Sequence, residues 1–169
     1  DTCLNDIDFV FMVGDLPRLL GVDNIGQVPL PIFFQIPPGN LASIQNQLSE
    51  TGPPPYVGVA WWAGIRNDIM SYRKVDFRCL AEFFRGIECT VLILQRDVGV
   101  EEIVAFSEIL GRQAYDFTDY NQDLNKMASL LKLIDHYVTV GNTNVHLRAA
   151  VGRSSSVLVP VYTVARIWI

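Results

Sequence analysis

Apolar positions run through this chain with two periods. Short apolar runs at Val57 to Trp61, Thr90 to Leu94, Val138 to Val140 and Val157 to Pro160 read as buried strands. Between them the period lengthens. Phe77, Leu80, Ala81 and Phe84 recur at helical spacing within Val75 to Phe84, and Gly86 stops that run. Glu101 to Leu110 is expected to turn Ile103, Val104, Phe106 and Leu110 inward. Ala114 to Phe117 reads as a short strand, followed by a polar loop from Asp119 to Asp123. Asp123 is placed to cap a helix with Leu124, Met127, Leu130, Leu131 and Ile134 on its inner face. Strands alternating with helices predict an α/β fold around a parallel sheet.

Residues 1–55 have another texture. Asp8 to Val13 reads as a strand, and Leu16 to Gly21 as a turn of helix or a loop. Pro29, Pro31, Pro37 and Pro38 then fall among aromatic residues. Proline lacks an amide donor and fixes φ, so this stretch is no repeating core. Ala42 to Leu48 is expected to be a short helix, and Gly52-Pro53-Pro54-Pro55 a hinge before a second domain over residues 56–169.

The junction from Tyr137 to Arg148 carries the chemistry. A β-branched strand is broken by Gly141, and a helix starts at once with Asn142 or Thr143 as N-cap. The first amides of a helix lack intrahelical acceptors and carry the positive end of its dipole, so such a turn suits a phosphate or pyrophosphate. Gly141, Asn142, Thr143 and Asn144 are therefore candidate contacts. His146, four residues after Asn142, shares its face of the first turn.

Gly141, Asn142, His146, Leu147, Ala150 and Gly152, followed by Val157 to Pro160, stand in an order that resembles the end of the nucleotide-sugar domain in two-domain (GT-B) glycosyltransferases. The likeness is to the heptosyltransferase family and to the glycosyltransferases found behind tetratricopeptide repeats. Those proteins have an acid where Gly141 stands. The resemblance extends upstream: Gly58, Trp61, Gly64 and Arg73 match the family's first strand and basic loop, with Ala63 and Lys74 replacing serines, which makes Gly64 and Arg73 candidate donor contacts. Gln95 matches the close of the next strand, where the family's side chains approach the nucleoside. Asp123 keeps the family's position before a helix whose leading loop faces the donor, and Met127 stands where the family has threonine, so the resemblance makes both candidate donor contacts; for Asp123, helix capping alone is the plainer role. Arg166 and Trp168 partly echo a further loop. The fold implied is a Rossmann-like parallel sheet with helices on both faces, the C-terminal GT-B half, preceded by a Pro-rich linker from the close of the acceptor-side domain.

Charge narrows the partners. Thirteen Lys and Arg against 18 Asp and Glu leave a net charge of -5, which argues against nucleic acid or an anionic membrane. A local basic site remains compatible with that balance, with Arg66, Arg73 and Lys74 as its candidates. No apolar run reaches about 18 residues and no signal peptide is evident, so no integral membrane contact is expected and the cytoplasm is the expected location. Cys3, Cys79 and Cys89 are an odd set without metal spacing and read as reduced thiols. No metal and no cofactor is implied. The absence of a glycine-rich dinucleotide or P-loop motif makes oxidoreductase and NTPase readings poor.

What the resemblance implies is a nucleotide-sugar donor and transfer to a hydroxyl of a saccharide, lipid or protein acceptor, with His146 at the leaving group. The family's catalytic base lies in the other domain, so this chain is expected to bind donor without turning it over alone. Opening on Asp1 and closing on Trp168-Ile169, it is expected to be part of something longer, truncated at its C-terminus. A degenerate, non-catalytic half kept as a scaffold or nucleotide-sugar sensor is the alternative.

Overall fold

The computed structural model describes residues 11–28, 33–63 and 74–159. They belong to two compact bodies divided between Ile32 and Phe33. In the first, a 3-10 turn at Val13–Asp15 leads into α1 (Leu16–Leu19), and a second 3-10 turn spans Ile25–Gln27. Asn24 caps that second turn by accepting from the Gly26 amide, while Gln27 Oε1 accepts from the Asn24 amide. The strand expected at Asp8 to Val13 lies mostly outside the described residues, and Val13 itself opens a 3-10 turn.

The second body is an α/β sandwich. Its five strands are β1 (Tyr56–Ala60), β2 (Thr90–Ile93), β3 (Tyr115–Asp116), β4 (His136–Val140) and β5 (Ser156–Leu158). All pair in parallel, in the order β3-β2-β1-β4-β5. The helices are α2 (Pro38–Thr51), α3 (Phe77–Arg85), α4 (Val100–Leu110), α5 (Leu124–Leu133) and α6 (Thr143–Ala150). Strand side chains alternate between faces. Val57, Val59, Trp61, Val91 and Ile93 pack with α3 and α4 through Phe77, Phe84, Phe106 and Leu110. Ala60, Leu92, Leu94 and Tyr137 face the opposite layer, with Ile44 and Leu48 of α2 and Met127, Leu130 and Leu131 of α5.

Two sequence expectations are corrected at helix surfaces. Val104 and Leu124 are exposed rather than inward, because the sheet-facing stripes of α4 and α5 are completed by Phe106 and Leu110 and by Met127, Leu130 and Leu131. A third concerns the expected linker helix. It is longer than Ala42 to Leu48 and packs on α5 through Ile44 and Leu48, so it is part of the sheet body.

Close packing explains Gly58. A Cβ there would lie 2.7 Å from Leu94 Cδ1 and 2.8 Å from Ile134 Cδ1. Two arginines close chain ends. Arg112 donates to the carbonyls of Phe84, Arg85, Ile87 and Cys89 at the end of α3. Arg148, 2% exposed, donates to those of Leu131, Ile134, Asp135 and Ser154.

Candidate functional site

Strand order decides where a ligand can sit. From β1 the chain moves outward to β2 and β3, then returns to the far side of β1 to lay down β4 and β5. The helices that follow β1 and β4, α3 and α6, pack in opposite layers, and the carboxyl edge between those two strands is where open parallel sheets hold ligands. Ala60 pairs with Thr139, so Trp61 on one side follows in register with Val140 on the other, one residue before Gly141.

The β4 side is open at its turn. A Cβ on Gly141 would meet nothing within 4 Å, so a ligand can reach this backbone. Asn142 is the N-cap, its Oδ1 accepting from the Val145 amide at 3.3 Å. Its Nδ2 turns the other way and donates to Thr139 Oγ1 at 2.8 Å and to the Tyr137 hydroxyl at 3.1 Å. Thr143 and His146 are exposed. Asn144 is buried and donates to Asn121 Oδ1, while Asn121 donates in turn to the carbonyls of Leu94 and Thr118. The side chains of Asn142 and Asn144 are thus engaged inside the protein. This corrects the expectation that both Asn142 and His146 point at a ligand; what Asn142 and Asn144 can offer a ligand is chiefly main chain.

On the β1 side, Gln95 is 2% exposed. Its Oε1 accepts from the amides of Trp61 at 2.9 Å and Trp62 at 3.0 Å, and its Nε2 donates to the Arg96 carbonyl. The expected base or ribose contact is corrected on that ground: Gln95 shapes the β1 loop from below and has almost no surface to present. The loop closes where Trp62 bridges Lys74 and the Val75 amide donates to the Trp61 carbonyl. Gly64, Arg66 and Arg73, three of the expected contacts, lie outside the described residues, and Lys74 is exposed.

The remaining two candidates sit at α5. Asp123 is its N-cap, with Oδ1 accepting from the amides of Asn125 and Lys126. Met127 is fully buried in the core, which corrects its expected place among the ligand contacts.

Helix starts at this rim differ in charge. Asp76 caps α3, Glu101 and Glu102 occupy the first turn of α4, and Asp123 caps α5. Only α6 of these four starts on neutral residues, so its dipole is not already complemented by an acid. A cavity of about 760 Å³ opens beside α3 and α4, but Asp76, Glu101 and Glu102 outnumber Lys74 and Arg78 in its lining, which disfavours an anion there.

No protein-family model matches the chain, and no curated protein sequence matches it. Among solved structures it is similar to the glycosyl transferase family 9 protein from Veillonella parvula DSM 2008, with a TM-score of 0.63 over 86% of this chain at 13% identity. The chain has a glycosyltransferase-like fold. It spans 42% of the length of that solved chain.

Within this fold the residues that sequence reading missed are those beneath the turn. Tyr137 is 1% exposed, and burial raises its phenol above the ordinary range, so it stays protonated and able to donate. Asn121 ties the 3-10 turn at Thr118–Gln122 to both β2 and α6. Their sequence signal is faint: a tyrosine two residues before a threonine on one face of a strand, and an asparagine in a polar loop. Among the described residues no cluster of His, Cys, Asp and Glu is arranged to hold a metal ion, and no helix is long and apolar enough to cross a membrane.

Proposed function

We propose that the second body binds a nucleotide-activated sugar, with its diphosphate over the turn from Gly141 to Asn144, as the donor-side half of a GT-B glycosyltransferase. The observation that carries this reading is the position of that turn: an open glycine and a neutral helix start at the carboxyl edge where the strand order reverses. The glycosyltransferase-like backbone supports it.

In the reaction so assigned, an acceptor hydroxyl attacks the anomeric carbon, the bond from that carbon to the phosphate oxygen breaks, and the bonding pair leaves with the diphosphate. Charge therefore grows on the leaving group. The amides of Thr143 and Asn144, left uncapped by the Asn142 side chain, and the exposed His146 are this chain's means of stabilising it. The acceptor hydroxyl must lose its proton to a base, and the resemblance assigns that base to the other half. A cation from the β1 loop would balance the same diphosphate, with Arg66, Arg73 and Lys74 as the candidates.

Titration with ADP-, UDP- and GDP-sugars tests the reading. His146→Ala is expected to weaken the bound donor by about 1 to 3 kcal/mol, the worth of a charge-assisted contact. An unchanged affinity returns His146 to the helix surface, and silence across the whole panel sinks the donor site. A second reading, a binding half without catalysis, is favoured by Gly141 standing where the resembling family has an acid and by Met127 being buried where that family has threonine. Under it the complete protein binds donor and neither transfers nor hydrolyses it.

A further inference from the structure

The last turn of α6 is completed from far away in the chain. Three of its closing carbonyls accept from amides nearby: Leu147 and Arg148 from Val151, Arg148 also from Arg153, and Ala149 from Gly152. The Ala150 carbonyl instead accepts from the amide of Phe34, at 2.7 Å. Gly152 adopts the left-handed conformation that ends a helix, with φ of 75°, and the neighbouring ring lies against it: a Cβ added there would stand 3.5 Å from Phe33 Cδ1. Two consecutive residues thus hold one helix end, the second by main chain and the first by its ring.

This attachment is slight. Phe33 is 48% exposed and Phe34 61%, and Gln35 is exposed as well. Among the described residues, the bond from Phe34 to Ala150 is the one backbone hydrogen bond that ties residues 33–36 to the rest of the sheet body. An exposed hydrogen bond exchanges for water at little net cost, and a segment with few buried contacts opens locally far more easily than the fold unfolds. The helix that follows does not share that weakness, since Ile44 and Leu48 of α2 are buried against α5. The division between the two compact bodies falls immediately before Phe33.

We propose that Phe33 and Phe34 form a releasable latch on the C-terminal end of α6, which sets how much chain is free between the first body and the second. Closed, the latch ties the chain down at Phe33. Open, it moves the first tie to the partly buried Ile36 and frees three residues, about 10 Å of extended chain. The ring of Phe33 is the part that holds, because water can replace the amide of Phe34 but not an apolar contact. The device is independent of what the sheet body binds.

The test uses the full 169-residue chain, with amide exchange read at Phe34 and Leu48. In wild type the Phe34 amide is expected to be protected, yet about a hundredfold or more less than that of Leu48, and to exchange at a rate that low urea leaves unchanged, the mark of a local opening. Phe33→Ala is expected to lower protection at Phe34 about tenfold, and to speed chymotrypsin cleavage after Phe34 in the native chain to match, with Leu48 as in wild type. Phe33→Leu, which keeps an apolar side chain against Gly152, is expected to restore most of that protection. A Phe34 amide that exchanges in wild type as freely as in an unstructured peptide overturns the proposal, since nothing is then latched. Exchange at Phe34 only together with Leu48 overturns it too, because the segment is then a fixed part of the fold. Equal protection in wild type and Phe33→Ala, or a loss shared equally by Leu48, removes the ring from the role assigned to it and overturns the latch.

Discussion

Arg148 shows how a single charged side chain can hold loop and helix ends together. Its four acceptors are all carbonyls, and that of Leu131 belongs to the last turn of α5, where carbonyls have no intrahelical donor. Burial lowers its guanidinium to about 10, which leaves it charged at neutral pH. Arg148→Met keeps the stem and removes the donors, so the carbonyls are left buried without partners. The expected loss is about 2–4 kcal/mol in urea unfolding. Arg148→Lys should recover only part of it, because one ammonium cannot span the same fan of acceptors. A wild-type midpoint for Arg148→Met would mean that water replaces the guanidinium. Gly58 fails for the opposite reason, excess volume. Gly58→Ala forces a methyl against Leu94 and Ile134 and should cost about 1–3 kcal/mol, checked by the same unfolding curve.

At the scale of elements, periodicity located β1, β2, β4, α3 and α5, since each buries a regular stripe whose spacing is written in the chain. It also placed the β4–α6 turn, because a glycine between a β-branched run and an N-cap is a local signal. The use of polar side chains was not legible. Gln95, Asn142 and Asn144 find their partners at Trp61 and Trp62, at Tyr137 and Thr139, and at Asn121, and only tertiary packing decides whether such a group turns inward or outward. Asp123 is the instructive contrast, its cap being local. Asp123→Ala should destabilise the fold by about 1 kcal/mol in thermal or urea unfolding. Diphosphate affinity should not change. A fall in affinity beyond that explained by unfolding would make Asp123 part of the ligand site after all.

At the scale of the molecule, the prolines at 53–55 suggested a domain boundary that the packing does not respect. They join α2 to β1, and α2 supplies Ile44 and Leu48, 3% and 2% exposed, to the same apolar layer as α5. Among the described residues, the buried members of the two apolar clusters of the sheet body run from Ile44 to Tyr137. Two shortened chains separate the alternatives. One starting at residue 33 keeps every described member of both clusters, and should unfold in urea in one transition with the slope expected from its buried surface. One starting at residue 56 loses Ile44 and Leu48 together and uncovers the α5 layer. Each buried aliphatic side chain so removed is worth about 2–5 kcal/mol, comparable to the net stability of an ordinary domain, so this chain should be unfolded or molten at room temperature. Equal stability of the two would restore the boundary to the proline hinge and make α2 an appendage.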